Sequence, residues 1–279
     1  MNIEFQYIKT ELQTLYSSSE ISNLYYMLLE KIILQPKSAI ILNRNTKLSI
    51  FQKKQFAEAV EKLKNHFPIQ YIIGKANFMD YEFEVNSSVL IPRPETEELV
   101  EWIVNDNRNS QKINILDIGT GSACIAVSLK KLLPQSSVFA IDISDEALET
   151  AKNNAKLNNV EINFSKTDIL QNPLFSSQFD IIVSNPPYIT ESEKPEMSAS
   201  VLDFEPNLAL FVPNASPLIF YEKIMQFAKT HLTASGKIYF EINRSKGQEI
   251  FNLATQNGFC DCLLRKDISG NDRMLRASK

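Results

Sequence analysis

Histidine and cysteine are scarce in this chain, basic residues are not in excess, and long apolar runs are missing. The two histidines, His66 and His231, stand far apart with no partner at motif spacing, so neither a catalytic triad nor a metal site can be built from them. The three cysteines, Cys124, Cys260 and Cys262, form no metal-ligand spacing and no even disulfide framework, which points to a reducing compartment. No stretch approaches the ~18 uninterrupted apolar residues of a membrane span. The start, MNIEFQYIKTELQ, carries charges where a secretory leader needs an apolar segment. A cytoplasmic protein with no membrane partner is expected. With 29 Lys and Arg against 33 Asp and Glu, the net charge of −4 advertises no nucleic-acid footprint. What is present is ordinary for a globular chain of 279 residues: 44% hydrophobic and 22% charged, enough for a real core.

The first 75 or so residues read as helical. Phe5, Ile8, Leu12 and Leu15 recur at helical spacing, Ser17-x-x-Glu20 resembles a capping box, and Leu48, Phe56, Val60 and Leu63 share a face that stops before Pro68. No strand alternates with these helices, so residues 1–75 are expected to form a module of their own. Over 76–91, Tyr81, Phe83 and Val85 alternate with polar neighbours and Met79-Asp80 is placed to turn, which predicts a β-hairpin linking two domains. A helix opening on Pro94 follows, with Leu99, Trp102 and Ile103 on its apolar stripe. From there to residue 279, strand-like and helix-like runs alternate. Repeated βα units predict an α/β domain over 92–279 with a mostly parallel sheet. The last two strands meet at Gly270-Asn271, which makes that edge antiparallel. The run KNNAKLNN reads as a solvated helix end.

The stretch LDIGTGSACIA at 116–126 hands the first strand of this domain to its first helix. Gly119 and Gly121 permit a tight turn and a close approach to a ligand. A dinucleotide fingerprint needs a third glycine where Cys124 stands, so a nucleoside without a pyrophosphate fits better. Asp142 ends the second strand, where a carboxylate reaches ribose hydroxyls. Asp168 ends the third, beside the place for an adenine amino group. Glycines and aspartates at such positions also serve helix–strand packing and capping, but the ordered set at successive strand ends matches the switch-point rule for ligand sites.

The apolar run FDIIV ends in SNPPYI at 184–189. Two prolines cannot continue a ladder, since neither has an N–H to donate. They fix the backbone so that the Asn185 side-chain oxygen and the Pro186 carbonyl face outward as paired acceptors, which suits a planar –NH₂ group. An amide nitrogen is a poor nucleophile. Holding both of its hydrogens orients its lone pair towards an electrophilic methyl, with Tyr188 stacked on the flat group.

LDIGTGS, Asp142 and SNPPYI together resemble the amino-methylating S-adenosylmethionine-dependent methyltransferases. VLIPRPETEELVEWI at 89–103 narrows the likeness to the HemK/PrmC family, which methylates the glutamine of the Gly-Gly-Gln motif in peptide chain release factors. The resemblance runs from about residue 67 to the end, through FPIQYIIGKANFMDYEFEV, FEPNLAL, FEI and DISGNDRMLRA. It implies a Rossmann-like class I methyltransferase fold, with a mostly parallel seven-stranded sheet and an antiparallel edge, behind a small all-helical N-terminal domain that docks the substrate. It implies that Asp117, Gly119, Thr120, Gly121, Ser122 and Ala123 line the S-adenosylmethionine site with Asp142, Asp168, Ile169 and Asn185. Asn185, Pro186 and Tyr188 are then catalytic, and Asn185, Pro186, Pro187, Tyr188 and Arg93 bind the substrate. Arg93, Pro94 and Glu95 resemble the family's loop over the site. The implied partner is a class I release factor, acted on by a monomer without nucleic acid or metal. Two departures stand out: Ala123 replaces a usual glycine, a crowding cost of ~1 kcal/mol, and Ile169 or Leu170 stands where an aromatic residue is usual beside adenine. Glu241 ends a strand in the layer that could reach the cofactor, with a surface position as the alternative. Competing functions are methylation of an exocyclic amine on a nucleic-acid base and a non-catalytic cofactor-binding scaffold.

Overall fold

A computed structural model describes residues 3–43, 47–108, 110, 112–171 and 173–279. The chain divides into two compact units, Met1–Lys75 with Ser198–Phe204, and Ala76–Met197 with Glu205–Lys279.

The first unit is helical: α1 (Ile3–Leu12), α2 (Ser18–Ile33), α3 (Lys37–Leu42), α4 (Ile50–Lys64) and α5 (Ile69–Ile73). Ser17 and Glu20 form the expected capping box on α2, and Ser49 with Gln52 forms a second on α4, so each of these helices starts with two of its otherwise free N–H groups partnered. Ile8, Leu12, Leu28, Phe56, Val60 and Leu63 are buried together. The apolar stripe stops short of expectation: α1 ends at Leu12 and Leu15 is exposed. Late in the chain a short helix, Ala199–Phe204 (α9 in chain order), groups with this unit, and the Phe204 ring meets Phe67 edge-on at 4.8 Å.

The second unit opens within strand β1 (Lys75–Phe78), from Ala76, and continues with β2 (Tyr81–Glu84). Met79 and Asp80 both take positive φ, 50° and 61°, the conformation of a two-residue hairpin turn whose twist matches the strands. After α6 (Pro94–Asn107) come β3 (Asn114–Ile118), α7 (Cys124–Leu132), β4 (Ser137–Asp142), α8 (Asp145–Leu157), β5 (Asn163–Lys166) and β6 (Phe179–Ser184). A small pair, β7 (Ile189–Thr190) and β8 (Phe211–Val212), brackets α9 and α10 (Asn207–Leu210). Then follow α11 (Ile219–His231), β9 (Leu232–Glu241), α12 (Gly247–Gln256), β10 (Cys260–Lys266) and β11 (Asp272–Ser278).

Seven strands form one sheet in the order β10-β11-β9-β6-β3-β4-β5, parallel from β9 to β5 and antiparallel where β11 meets its neighbours. Alternate residues enter opposite cores, as the two-residue period of a strand requires. Ile115, Ile181 and Tyr239 join the cluster containing Trp102 of α6 and Val127 of α7. Leu116, Ile182 and Phe240 join the one containing Ile224 of α11 and Ile250 of α12. Register sets up the site. Ile118 is level with Ile141 and Ser184, and Ser184 with Phe240, so the next residues, Gly119, Asp142, Asn185 and Glu241, emerge side by side at the carboxyl edge. Among the described residues no helix is long and apolar enough to cross a membrane, and no group of His, Cys, Asp and Glu could hold a metal ion.

Candidate active site

A cavity of about 360 Å³ lies over that edge, within the size range of small-ligand sites, and every residue lining it belongs to the second unit. It brings together Arg93, Gly119, Thr120, Gly121, Ser122, Asp142, Asp168, Ile169, Asn185, Pro186 and Pro187. Asp117, Ala123 and Tyr188 are not on its wall. Leu170 is, so two aliphatic side chains flank the place expected for a base.

Gly119 and Gly121 sit at φ 72° and 53°, where an L side chain is strained, and a Cβ on either would meet no atom within 4 Å. Their requirement is therefore conformational, and the space beside them is open. Three of the loop's amides are already spent: Gly119 and Thr120 donate to the Ile141 carbonyl at 2.9 and 3.0 Å, and Gly121 donates to Asp142 Oδ2 at 2.9 Å. A phosphate would need those N–H groups, so the cradle suits a nucleoside without phosphates. Ala123 is also left-handed, at φ 62°, and fully buried. Its departure from glycine thus acts through backbone strain, about 1–2 kcal/mol for an L residue there, rather than through crowding.

Asp142 is half-buried and holds the loop with one oxygen and Ser144 N–H with the other at 3.0 Å, while Ser144 caps α8. Each carboxylate oxygen retains a second acceptor direction, so structural and ligand roles are compatible. Asp168 lies two residues beyond β5 and takes the Leu170 N–H at 2.9 Å.

The strand exit behaves as the prolines dictate. Ser184 Oγ donates to the Ile118 carbonyl at 2.7 Å, fixing β6 to β3 just before Asn185. Asn185 is half-buried, and its Nδ2 donates to Thr96 Oγ1 at 3.3 Å. Asn185 Oδ1 accepts no hydrogen bond among the described residues. Tyr188 does not line the cavity as a stacking ring would. Its ring packs against the core beside α11 and its hydroxyl donates to Glu241 Oε1 at 3.2 Å. Burial first, and then the Glu241 carboxylate, raise the Tyr188 phenol well above its usual range, so it stays protonated. Glu241 is neither at the surface nor on the cavity wall: it is 2% exposed, and Thr96 Oγ1 donates to its Oε2 at 2.6 Å.

Arg93 donates to Glu205, which is buried and also takes the Ile91 N–H at 3.1 Å. This ties the segment before α6, expected over the site, to FEPNLAL, a stretch that sequence alone left without a position. Thr96 and Glu205 carry no local signal of a role, because their partners lie 145 and 112 residues away in sequence. His231 is a structural residue: its Nε2 accepts the Phe175 N–H at 3.3 Å.

Comparison with known proteins gives a consistent picture. The family model described as PrmC N-terminal domain matches residues 5–74, and that described as methyltransferase small domain matches residues 95–202. The chain is 45% identical over 280 residues to a release factor glutamine methyltransferase of Flavobacterium psychrophilum, covering 99% of this chain and 98% of that protein. It is 41% identical over 280 residues to one of Bacteroides thetaiotaomicron, covering all of both. A solved methyltransferase from Pyrococcus furiosus shares the fold, with a TM-score of 0.51 at 20% identity over 71% of this chain and 88% of that one.

Proposed function

The chain belongs to the release factor glutamine methyltransferase family, and we propose that the residues over its sheet edge serve that family's reaction, methyl transfer from S-adenosylmethionine to the side-chain nitrogen of the glutamine in a release factor's Gly-Gly-Gln motif. The observation that carries this reading is one cavity in which the glycine loop, the two strand-end aspartates and the Asn-Pro-Pro exit meet. S-adenosylmethionine supplies an electrophilic methyl on a sulfonium. Gly119, Thr120, Gly121 and Ser122 would hold its methionine part, Asp142 the ribose, and Asp168 with Ile169 the adenine. The open space beside Gly119 and Gly121, and the engagement of the Gly119, Thr120 and Gly121 N–H groups within the fold, fit that ligand.

Asn185 Oδ1 and the Pro186 carbonyl accept the two N–H bonds of the substrate amide. Pro187 keeps the exit rigid, so the acceptors hold their spacing. With both hydrogens fixed, the nitrogen lone pair is turned out of conjugation and along one direction, and orientation supplies much of the rate. No residue on the wall needs to act as a strong base, because the product nitrogen sheds its proton after the methyl has moved. Arg93, locked on Glu205, shapes the rim. Tyr188 acts from behind the wall, through Glu241. The helical unit would dock the release factor and the hairpin would link the two parts, in a monomeric cytoplasmic enzyme that needs no nucleic acid.

The test is incubation of a purified release factor with this protein and S-adenosylmethionine, followed by mass spectrometry. One added methyl on the Gly-Gly-Gln glutamine is the expected result, and transfer to RNA or DNA instead would overturn the substrate. Asn185→Ala should retain cofactor affinity and lose about 10²-fold or more in turnover, the scale of one positioned polar group. Full turnover in that variant would end the mechanism.

A further inference from the structure

One buried hydroxyl stands between Asn185 and Glu241. Thr96, in the first turn of α6, is 2% exposed, with Oγ1 2.6 Å from Glu241 Oε2 and 3.3 Å from Asn185 Nδ2. A hydroxyl has a single proton. The short contact to a carboxylate claims it, since charge-assisted hydrogen bonds are the stronger ones. Towards Asn185 the Thr96 oxygen can then only accept, and the only end of the amide that satisfies an acceptor is its –NH₂. The Asn185 oxygen is thereby turned the other way.

We propose that Thr96, held by Glu241, is a positioning residue that sets which end of the Asn185 amide faces the substrate. The proposal rests on the reading of Asn185 as acceptor for the substrate amide. An asparagine amide has nearly the same shape after a half-turn about its last torsion, but the half-turn exchanges an acceptor for two donors. Flipped, Asn185 would set –NH₂ against the substrate's –NH₂, and the pair of N–H bonds would lose its anchor. Rigid prolines fix where Asn185 stands. They do not fix which way its amide points, and Thr96 supplies that missing constraint.

Glu241 is built to hold the Thr96 proton. Its other oxygen takes the Tyr188 hydroxyl, and Tyr221 of α11 donates to its backbone carbonyl at 3.1 Å. Arg273 of β11 favours the charged carboxylate, Glu95 of α6 opposes it, and the neutral thiol of Cys124 in α7 stands nearby. Burial raises the Glu241 carboxyl, against the pull of Thr96, Arg273 and Tyr188. A protonated Glu241 can donate to Thr96 Oγ1. The Thr96 hydroxyl is then free to donate to Asn185 Oδ1, which turns the amide round.

The test uses the full chain with a purified release factor and S-adenosylmethionine, comparing T96V, T96S, E241Q, N185A and the T96V/N185A pair. T96V should lower kcat by about 10- to 100-fold, the range for removing a partner that orients a reacting group, with cofactor affinity unchanged. T96S should restore most of that loss, and T96V should add nothing in the N185A background. A wild-type kcat in T96V while N185A is inactive overturns this proposal and leaves the Asn185 reading standing. Wild-type turnover in N185A overturns the Asn185 reading and this proposal together. Losses that multiply in the double variant indicate general loosening and also overturn it. Should T96V fail to fold, E241Q decides: kcat should fall and the acid limb of its pH profile should vanish, and an unchanged profile refutes the proposal.

Discussion

Asp117 lies in β3, between β4 and β6, with no surface exposed, its Oδ2 taking the Thr120 hydroxyl proton at 2.6 Å and its Oδ1 without a hydrogen-bond partner among the described residues. Burial pushes its carboxyl up to about 7 from 3.8, opposed by the Thr120 hydrogen bond and aided by the Asp142 charge. Between those two values the folded chain holds a proton that the unfolded chain has released. Stability therefore falls as pH rises through that window, by at most about 1.4 kcal/mol per pH unit, and the loss is complete above about 7. Asp117→Asn carries no such charge, so its melting temperature should gain on the wild type steadily from acid to neutral pH. Parallel melting curves for the two proteins would show that Asp117 ionises normally in the fold. The sequence placed Asp117 beside the glycine loop, because LDIGTG is a local pattern. Its burial was not legible, since that depends on strands β4 and β6 closing over it from elsewhere in the chain. The same limit hid the Thr96–Glu241 contact: each residue looks ordinary beside its own neighbours.

At the scale of elements, the run KNNAKLNN shows how composition misleads. Four asparagines and two lysines near a helix end suggested water, yet Asn154 of α8 is fully buried. Its Oδ1 accepts the Glu84 N–H at 2.6 Å, and its Nδ2 donates to the carbonyls of Glu84 and Ser122, each at 2.9 Å. One side-chain amide thus pairs with the end of β2 as a neighbouring strand would, and pins the glycine loop as well. Asn158, one turn on, donates to the Glu82 carbonyl at 3.0 Å. The hairpin is fastened to α8 by side chains, which a two-stranded ribbon needs because it is marginal alone. Asn154→Ala removes three hydrogen bonds and leaves backbone groups without partners, so it should cost about 2–4 kcal/mol in a urea melt. A cost near zero would mean that water replaces the amide at this junction. The Met79-Asp80 turn, by contrast, was legible, because the alternation of Tyr81, Phe83 and Val85 directly after two turn residues is a wholly local signal.

For the whole molecule, the βα alternation and the helical start were readable because periodicity repeats within each segment. The grouping of Ser198–Phe204 with the helical unit was not, because its ring contact joins Phe204 to Phe67 across about half of the chain. Truncating residues 1–75 would therefore strip a partner from Phe204, and point substitutions test the docking role more cleanly. In α4, Phe56, Val60 and Leu63 face the helical core, whereas Ile50 and Phe51 in its first turn are 90% and 69% exposed. Large apolar side chains held in water cost nothing to replace in the free protein, and they are the type of group that anchors a protein partner. With the helical unit as the release-factor carrier, replacing Ile50 and Phe51 by Asp should raise KM for the release factor about tenfold, the scale of losing ~1.4 kcal/mol of contact. The melting temperature, cofactor affinity and turnover at saturating substrate should stay as in the wild type, since neither side chain lines the cavity. A KM that does not move would exclude this face of α4 from docking, and a fall in kcat with KM unchanged would mean that the helical unit acts on the chemistry instead of on capture.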